Sequence, residues 1–288
     1  MKRIAILSGK GGVGKSTIAS SLAVALKDRH KIILVDADAD CPNQHILFEG
    51  NEKESKVLQA SHLAVVDHEK CKRCGKCKDV CTFEALDYSD GPKISSLFCE
   101  GCNACAVVCP HGAIKMVPVD SGVAKVIDTD EGFPLVYGKL YPGEAGSGKI
   151  VHDIRQTADR IANELGSELI LIDSAAGIGC PVIASITDCD YAIGVVEPTQ
   201  ASISDLDRAI TTAEHFGIPY GVVINKTGIS GENERKIRDR WGGFILAELP
   251  YDPEVPKILA KRIIPIMGDS KVSEGLKKLA EMIEENLQ

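Results

Sequence analysis

The chain has 288 residues, of which 44% are hydrophobic and 26% are charged. These proportions are typical of a soluble globular protein, and the length allows one large α/β domain together with something small. The net charge of −8 at pH 7 provides none of the basic surface that binding to a phosphate backbone requires, so composition gives no indication of direct nucleic-acid binding.

The N-terminal segment carries no targeting signal that the sequence reveals. Its apolar run covers residues 4–7, far fewer than a signal peptide or a membrane span needs. Eleven cysteines in a chain without such a signal indicate metal ligation rather than disulfides. We therefore expect a cytoplasmic protein that does not insert into a membrane.

The first motif lies between a strand-like run at residues 3–7 and an Ala- and Leu-rich helical stretch that ends near Lys27. It matches the G-x4-G-K-S pattern of a phosphate-binding loop (P-loop) in its strand–loop–helix context. Backbone N–H groups in such a loop surround the α- and β-phosphates, and the helix N-terminus adds the positive end of its dipole. We expect Lys15 to contact the β- and γ-phosphates and the Ser16 hydroxyl to bind Mg²⁺. The motif consists of Gly9, Lys10, Gly11, Gly12, Val13, Gly14, Lys15, Ser16 and Thr17.

Three acidic residues follow the next apolar strand, which covers residues 32–35. Asp36, Asp38 and Asp40 are spaced by two at the strand exit. Such a group could form a solvated turn, but close to a P-loop we favour metal binding or positioning of water.

A duplicated cysteine motif occupies the segment between residues 67 and 117. Cys71 and Cys99 are 28 residues apart, and the Ala85-Leu86 pair after the first run recurs as Ala113-Ile114 at the same offset. Zinc sites usually pair two C-x2-C knuckles across a longer spacer, so we favour iron–sulfur clusters over two tetrathiolate zinc sites. Metal ligation is expected to supply much of the folding energy of so small a module. The two C-x2-C-x2-C-x3-C runs are Cys71, Cys74, Cys77, Cys81 and Cys99, Cys102, Cys105, Cys109.

A second, partial match to the P-loop pattern occurs at residues 143–149. The residue after Lys149 is Ile150, which cannot bind Mg²⁺, and the preceding segment contains Pro134 and Pro142 rather than a clean strand pattern. We expect a flexible loop before a helix.

Two later strand patterns end in polar residues. Residues 169–172 lead into Asp173, where a carboxylate would reach Mg²⁺ as a Walker B residue does. Residues 221–224 lead into Asn225, Lys226, Thr227 and Gly228. A GTPase of the N-K-x-D type would have Asp instead of Gly228, so we expect adenine rather than guanine, with Asn225 as its contact.

The P-loop with its early lysine, Lys10, resembles that of the MinD/ParA ATPases and the nitrogenase iron protein. Asp36-Ala37-Asp38 resembles their switch I, and residues 173–177 resemble their switch II. The resemblance implies ATP hydrolysis in a homodimer that forms on ATP binding, with Lys10 reaching the phosphates bound by the other subunit; a solvated lysine is the alternative. The MinD register implies that Asp38 positions the water, whereas the iron protein register implies Asp40.

The cysteine segment resembles bacterial two-cluster ferredoxins, in which the fourth cysteine of each run binds the other cluster. Thr82 stands where a proline often follows the fourth cysteine. Carried over, the resemblance implies two [4Fe-4S] clusters, one on Cys71, Cys74, Cys77 and Cys109 and the other on Cys81, Cys99, Cys102 and Cys105.

Several basic residues and three further cysteines remain. Lys70, Lys72, Arg73, Lys76 and Lys78 surround the first cysteine run. They form either a solvated surface or a docking face for an acidic redox partner. The nitrogenase iron protein has a cysteine that binds a bridging cluster at the same separation from its switch II aspartate as Cys180 has from Asp173. No second cluster cysteine of that kind is found here. We therefore interpret the remaining three cysteines as buried or interface thiols, namely Cys41, Cys180 and Cys189.

The sequence thus predicts an α/β P-loop NTPase with a mainly parallel sheet, plus a small inserted α+β ferredoxin-like module. Residues 1–66 and 118–288 would form the ATPase domain and residues 67–117 the insertion. Strands are expected near residues 3–8, 31–36, 169–173, 192–196, 221–225 and 244–248, and residues 271–288 should form a core-packing helix.

Two functions are compatible with this architecture. In one, ATP binding and hydrolysis are coupled to electron transfer, or to assembly of a metal or iron–sulfur cofactor on a protein partner. In the other, a positioning or regulatory ATPase carries clusters that sense redox state or stabilise a partner-binding surface.

Overall fold

The structure is a computed structural model, and it describes residues 1–89 and 91–287. The strands are β1 Lys2–Ser8, β2 Ile32–Asp36, β3 Gly50–Leu58, β4 Ser61–Val66, β5 Leu86–Asp87, β6 Lys93–Ile94, β7 Ile114–Val119, β8 Gly122–Thr129, β9 Pro134–Leu140, β10 Leu169–Ala176, β11 Tyr191–Val196, β12 Tyr220–Thr227 and β13 Ile245–Pro250. The helices are α1 Lys15–Leu26, α2 Gln44–Leu47, α3 Lys76–Asp79, α4 Ala104–Val107, α5 Gly148–Leu165, α6 Cys180–Ile186, α7 Gln200–His215, α8 Gly231–Trp241, α9 Glu254–Ala260 and α10 Ser273–Leu287, with a 3₁₀ turn at Gly242–Phe244.

The chain folds into two compact units. The first unit comprises Met1–Lys56, Ala124–Lys139 and Gly146–Gln288, and the second comprises Val57–Val123 and Leu140–Ala145. The predicted insertion at residues 67–117 lies within the second unit. That unit also includes β4 and β7, because these two strands pair with each other along their whole length.

The large sheet has the strand order β13-β12-β11-β1-β10-β2-β9-β8-β3. The neighbours from β13 to β9 are parallel, which confirms the predicted mainly parallel α/β sheet. Its central strands β1, β2 and β10 are continuous apolar runs with almost no exposed residue, as strands covered on both faces must be. All six strands predicted from the sequence are present.

Strand β9 departs from the sequence interpretation, in which Pro134 and Pro142 argued against a strand before α5. The strand begins at Pro134 itself. The first position of a strand tolerates proline because the missing N–H need not join the ladder. The partial P-loop pattern that follows is a loop, as predicted, and Ser147 caps α5 by accepting a hydrogen bond from the Ile150 N–H at 3.3 Å.

Helix α10 packs onto the core of the first unit, as its apolar periodicity predicts. Leu276, Leu279 and Ile283 are at most 1% exposed, whereas Met282, which the periodicity also assigned to the apolar face, is 36% exposed. No helix in the described part of the chain is both long enough and apolar enough to span a membrane.

The second unit has an internal pseudo-twofold symmetry that matches the sequence duplication. The pair Val66–Ile114 in the β4–β7 ladder corresponds to the pair Ile94–Leu86 in the β5–β6 ladder. The short helices α3 and α4 occupy equivalent positions. Positive φ angles also recur at equivalent positions, in Arg73 (54°) and Gly101 (64°), Gly75 (81°) and Asn103 (67°), and Glu84 (52°) and Gly112 (56°).

Candidate functional site

The P-loop connects β1 to α1 in the first unit, as predicted. Gly14 has a φ of 104°, a conformation that only glycine adopts without strain. A β-carbon there would also lie 2.3 Å from the Asn225 side-chain nitrogen. Lys15 is only 7% exposed at the start of α1, where the loop N–H groups and the helix dipole favour an anion.

Two carboxylates lie side by side at the carboxyl edge of the sheet, next to this loop. Asp36 and Asp173 are register partners in the parallel β2–β10 pair, and both are fully buried. Burial and the neighbouring Asp173 charge raise the pKa of Asp36 to about 8, and burial also raises the pKa of Asp173. Two buried carboxylates in contact favour either a proton or a cation between them.

The surrounding hydrogen bonds leave room for a cation. Asp36 accepts backbone N–H bonds from Asp38, Asn43 and Gln44 at 2.8–3.1 Å. Gln44 Nε2 donates to Asp173 Oδ2 at 2.8 Å, whereas the buried Asp173 Oδ1 has no partner within hydrogen-bond distance among the described residues, although the Ser16 side chain is near enough to lower the Asp173 pKa. An unpaired buried carboxylate oxygen is an oxygen ligand of the type that Mg²⁺ prefers.

The Ser16 hydroxyl accepts a hydrogen bond from Asn43 Nδ2 at 3.0 Å, and the Ser16 carbonyl accepts one from Gln44 Nε2 at 3.0 Å. Asn43 and Gln44 lie at the start of α2. Sequence analysis did not identify them, and the only signal for them is their position shortly after Asp40. They join the P-loop to the segment that contains the three acids.

The other two acids of that segment lie further out. Asp38 is partly buried, and its Oδ1 accepts a hydrogen bond from the Cys41 N–H at 3.3 Å. Asp40 is exposed, and its Oδ1 accepts a hydrogen bond from the Gly146 N–H at 3.2 Å. Asp38 is thus held in the turn that directly follows Asp36, whereas Asp40 is hydrogen-bonded to the loop that precedes α5.

Glu197, which directly follows β11, bridges two lysines at the mouth of the P-loop. Its carboxylate contacts Lys10 Nζ at 3.3 Å and Lys226 Nζ at 2.7 Å, and Lys226 Nζ also donates to the Gly12 carbonyl at 2.9 Å. Burial alone would raise the pKa of Glu197, but the two lysines hold it below its usual value. Sequence analysis did not identify Glu197, because the residues around it match no motif, whereas Asp173 begins a segment that resembles switch II.

A cavity of mixed character adjoins the P-loop. Asn225 lies at its edge, where Nδ2 donates to the Val13 carbonyl at 2.7 Å. Residues after β13 complete the wall, among them Tyr251 and Asp252, which the sequence did not single out. Each Asp252 oxygen accepts one backbone N–H bond, from Glu254 and from Lys271, which holds the carboxylate in this wall. The cavity is lined by Gly12, Gly14, Thr17, Ile18, Asn225, Lys226, Leu249, Pro250, Tyr251, Asp252, Val255, Pro256, Leu259, Val272 and Leu276.

The eight motif cysteines line cavities of the second unit in sets of four. One cavity is lined by Cys71, Cys74, Cys77 and Cys109. Another is lined by Cys81, Cys99, Cys102 and Cys105. In each set the fourth member of one run joins the first three members of the other. Among the described residues, no three His, Cys, Asp or Glu side chains converge as ligands of a single metal ion.

Polar contacts to these sulfurs distinguish the two sets. Backbone N–H groups of Arg73 and Ala113 donate to the sulfurs of Cys71 and Cys109 at 3.4 and 3.3 Å. The Tyr88 hydroxyl lies 2.7 Å from Cys77 Sγ.

The three cysteines outside the motif differ in environment. Cys189 is buried, and burial raises its pKa to about 12, so it is a structural thiol as expected. Cys41 and Cys180 are exposed in the isolated chain, so neither is a buried thiol.

Comparison with known proteins identifies relatives along the whole chain. The model of the CobQ/CobB/MinD/ParA nucleotide binding domain matches residues 4–266. An uncharacterised protein of Methanocaldococcus jannaschii is 39% identical over 285 residues, which cover 98% of this chain and 96% of the relative. An iron–sulfur cluster carrier protein of Aquifex aeolicus is 56% identical over only 46 residues, 16% of this chain and 13% of the relative.

Among solved structures, the septum site-determining protein MinD of Pyrococcus horikoshii, complexed with Mg-ADP, superimposes with a TM-score of 0.60. The two chains are 17% identical, and the alignment covers 99% of this chain and 96% of the other. At this identity the likeness describes the fold.

Proposed function

The chain belongs to the family of CobQ/CobB/MinD/ParA nucleotide-binding domains, whose P-loop members hydrolyse ATP, and from this premise we propose that it is an iron–sulfur ATPase. Its nucleotide state would be coupled to electron transfer, or to assembly of a metal or iron–sulfur cofactor on a protein partner. The single observation that carries the iron–sulfur part is the crossed arrangement of the cysteines around their cavities.

The cysteine sets fit [4Fe-4S] clusters in number and in connectivity. Such clusters are held by four thiolates, and in two-cluster ferredoxins the fourth cysteine of each run belongs to the other cluster. Each thiolate binds a different iron, so the four sulfurs surround a cluster and need not converge on one ion. Cys71, Cys74, Cys77 and Cys109 would hold one cluster, and Cys81, Cys99, Cys102 and Cys105 the other. When bound, these clusters supply one-electron transfer.

At the nucleotide site, the proposed Mg²⁺ ligands are Ser16, Asp36 and Asp173. The unpaired Asp173 oxygen and the raised pKa of Asp36 both support a cation there. The P-loop would bind the phosphates through its N–H groups and Lys15, and the cavity beside Asn225 would take the adenine. Asp38 or Asp40 would orient the attacking water.

Lys10 is proposed to act in a homodimer that forms on ATP binding. In the isolated chain its ammonium group pairs with Glu197, and the Lys10 side chain is 44% exposed. A partly exposed lysine at the mouth of the loop supports a role across a subunit interface, where it would stabilise the charge that develops on the transferred phosphate.

Metal analysis of anaerobically purified protein tests the iron–sulfur part. We expect about eight iron and about eight sulfide per chain, because two [4Fe-4S] clusters contain four of each. Replacement of Cys109 by Ala should disturb the cluster held by Cys71, Cys74 and Cys77, although these residues belong to the other run. Cys41→Ala is the matched control and should leave the iron content unchanged. Stoichiometric zinc without visible absorption would exclude the proposal.

Steady-state kinetics then separates the proposed function from a purely regulatory ATPase. In the coupled enzyme, ATP turnover should rise when the clusters are reduced or when the protein partner is added. A positioning ATPase with structural or redox-sensing clusters predicts no electron or cluster transfer to a partner during turnover. The short similarity to an iron–sulfur cluster carrier favours testing cluster transfer alongside electron transfer.

A further inference from the structure

The two halves of the second unit have the same backbone but different surfaces. The first cysteine run carries five basic residues, Lys70, Lys72, Arg73, Lys76 and Lys78, which we call the basic face; all five are exposed. The equivalent positions in the second run are Phe98, Glu100, Gly101, Ala104 and Ala106. The second run therefore folds with no basic residue at these positions.

This difference shows that the backbone does not require the positive charges. The hydrogen bond from Lys78 N to the Gly75 carbonyl corresponds to that from Ala106 N to the Asn103 carbonyl. Likewise, the bond from Cys81 N to the Lys78 carbonyl corresponds to that from Cys109 N to Ala106. Since the turn and helix form with the same hydrogen bonds in both halves, local folding does not account for the basic residues.

Among the described residues, few acidic partners compensate the charges of the basic face. Lys70 pairs with Asp67 at 3.4 Å, and Lys78 lies 5.8 Å above the Tyr88 ring. Within the described residues, Lys72 and Lys76 make no salt bridge. The segment also contains the exposed acids Glu69 and Asp79, which leaves a net positive face on a chain whose total charge is −8.

The basic face lies directly at one set of cysteines. Lys72 and Lys76 line the same cavity as Cys71, Cys74, Cys77 and Cys109. Cys74 is itself exposed. Tyr88 connects the surface to the interior, because its ring lies under Lys78 and its hydroxyl contacts Cys77 Sγ at 2.7 Å.

We propose that the basic face is the docking surface for an acidic electron-transfer protein. This protein exchanges electrons with the cluster held by Cys71, Cys74, Cys77 and Cys109, which we call the Cys71 set. Charge complementarity steers such a partner to the face and orients it. The exposed Cys74 then lies where the partner docks. This inference rests on the proposed iron–sulfur function. It gives the two clusters different roles, because only the cluster on the Cys71 set lies at the surface where electrons are exchanged with the partner.

The test uses the full-length, anaerobically purified protein with an acidic blue-copper protein and basic cytochrome c as probes. Isothermal titration calorimetry measures affinity at low and at physiological ionic strength, with both proteins oxidised so that no electron transfer occurs. The double variant Lys72→Glu, Lys76→Glu reverses the charges at the cavity. Lys277→Glu, Lys278→Glu makes the same charge change on α10 and is the matched control.

We expect the wild type to bind the acidic probe and to lose affinity as salt rises. The Lys72/Lys76 variant should bind it at least about tenfold more weakly at low salt, within the range of electrostatic effects on association. The control should stay within about twofold of wild type. The order of affinities should reverse with cytochrome c. Zero-length cross-linking should join Lys72 or Lys76 to carboxylates of the acidic probe.

Cluster content, measured first, separates this inference from the proposed function. A wild-type protein without iron and sulfide overturns both, whereas a cluster-loaded protein whose variants bind the acidic probe equally well overturns only the docking surface. Tighter binding of the wild type to anionic vesicles or to duplex DNA than to the acidic probe also overturns it. If the Lys72/Lys76 variant loads clusters poorly, Lys70→Gln, Lys78→Gln replaces it, because these residues do not line the cavity.

Discussion

Contacts of single side chains connect the strands around the mouth of the P-loop, and Glu197 is at their centre. One carboxylate contacts two lysines, and one of these lysines is also bonded to the Gly12 carbonyl. The lysines lower the pKa of Glu197 despite its partial burial. In the proposed dimer, Lys10 would leave this contact to reach a phosphate bound by the other subunit.

Replacement of the two P-loop lysines should separate binding from hydrolysis. Lys15→Ala should remove most ATP affinity, because Lys15, 7% exposed at the start of α1, is the proposed contact of the β- and γ-phosphates. Lys10→Ala should bind ATP with nearly wild-type affinity but lose hydrolysis, because its charge is needed as the transferred phosphate develops negative charge. Nucleotide titration and phosphate release measure the two effects, with Lys236→Ala as control. Equal hydrolysis by Lys10→Ala and wild type would refute the role across the dimer.

Tyr88 should set the two clusters apart in reduction potential. Its hydroxyl lies 2.7 Å from Cys77 Sγ and would donate to that sulfur in the proposed cluster, whereas the equivalent residue of the other half is Met116, which has no such donor. A hydrogen bond to sulfur stabilises the more negative, reduced cluster and so raises its potential. Tyr88→Phe should lower the potential of one cluster by about 59 mV, equal to a tenfold change in a one-electron equilibrium.

A redox titration followed by electron paramagnetic resonance checks this prediction. Met116→Leu is the matched control at the symmetry-related position and should leave both potentials unchanged. A shift of both clusters in Tyr88→Phe, or of neither, would contradict a hydrogen bond specific to Cys77.

At the scale of elements, α10 shows how far an apolar periodicity predicts packing. Leu279→Ala should lower the free energy of unfolding by about 2–5 kcal/mol, because it leaves a cavity among buried side chains where Leu279 is 0% exposed. Met282→Ala on the same helix should change it by less than about 0.5 kcal/mol. Trp241, the one tryptophan of the chain, is buried in α8 and reports unfolding of the first unit by fluorescence. Similar losses in both variants would contradict the predicted packing.

Burial explains why the central strands could be predicted from the sequence and why the edge strand β3 could not. Strands β1, β2 and β10 are recognisable because both faces are buried and the apolar residues run without interruption. Strand β3, at the edge of the sheet, is almost entirely exposed and polar, so it carries no apolar pattern. Its place depends on pairing with a distant strand, which local sequence does not encode.

The candidate site shows the same contrast. The P-loop and the cysteine runs are contiguous motifs, and the carboxyl ends of parallel strands meet at one edge, so Lys15, Asp36 and Asp173 could be predicted together. Glu197 could not be predicted, because the lysines that it contacts, Lys10 and Lys226, are far from it in the sequence. Tyr88 could have been marked by comparison of the two repeats, where it is replaced by Met116.

At the scale of the whole molecule, the path of the chain relates the switch acids to the second unit. The chain leaves the first unit after Lys56, shortly after Asp36, Asp38 and Asp40, and returns finally at Gly146, upstream of Asp173. The Gly146 N–H donates to Asp40 Oδ1 at 3.2 Å. Gly146, with which the chain returns to the first unit, is therefore hydrogen-bonded to Asp40, a side chain expected to respond to the γ-phosphate.

From this connectivity we expect the cluster potentials to depend on the nucleotide. Redox titrations with Mg-ADP and with a non-hydrolysable Mg-ATP analogue should differ by up to about 59 mV, about 1.4 kcal/mol for a one-electron couple, which differential binding of ATP to two states can supply. Linkage requires that cluster reduction change ATP affinity by the same factor. Asp40→Ala should reduce the difference, whereas Asp130→Ala should not. If the wild-type potentials with Mg-ADP and with the Mg-ATP analogue agree within about 10 mV, and cluster reduction leaves ATP affinity unchanged, then nucleotide binding and the clusters are not coupled.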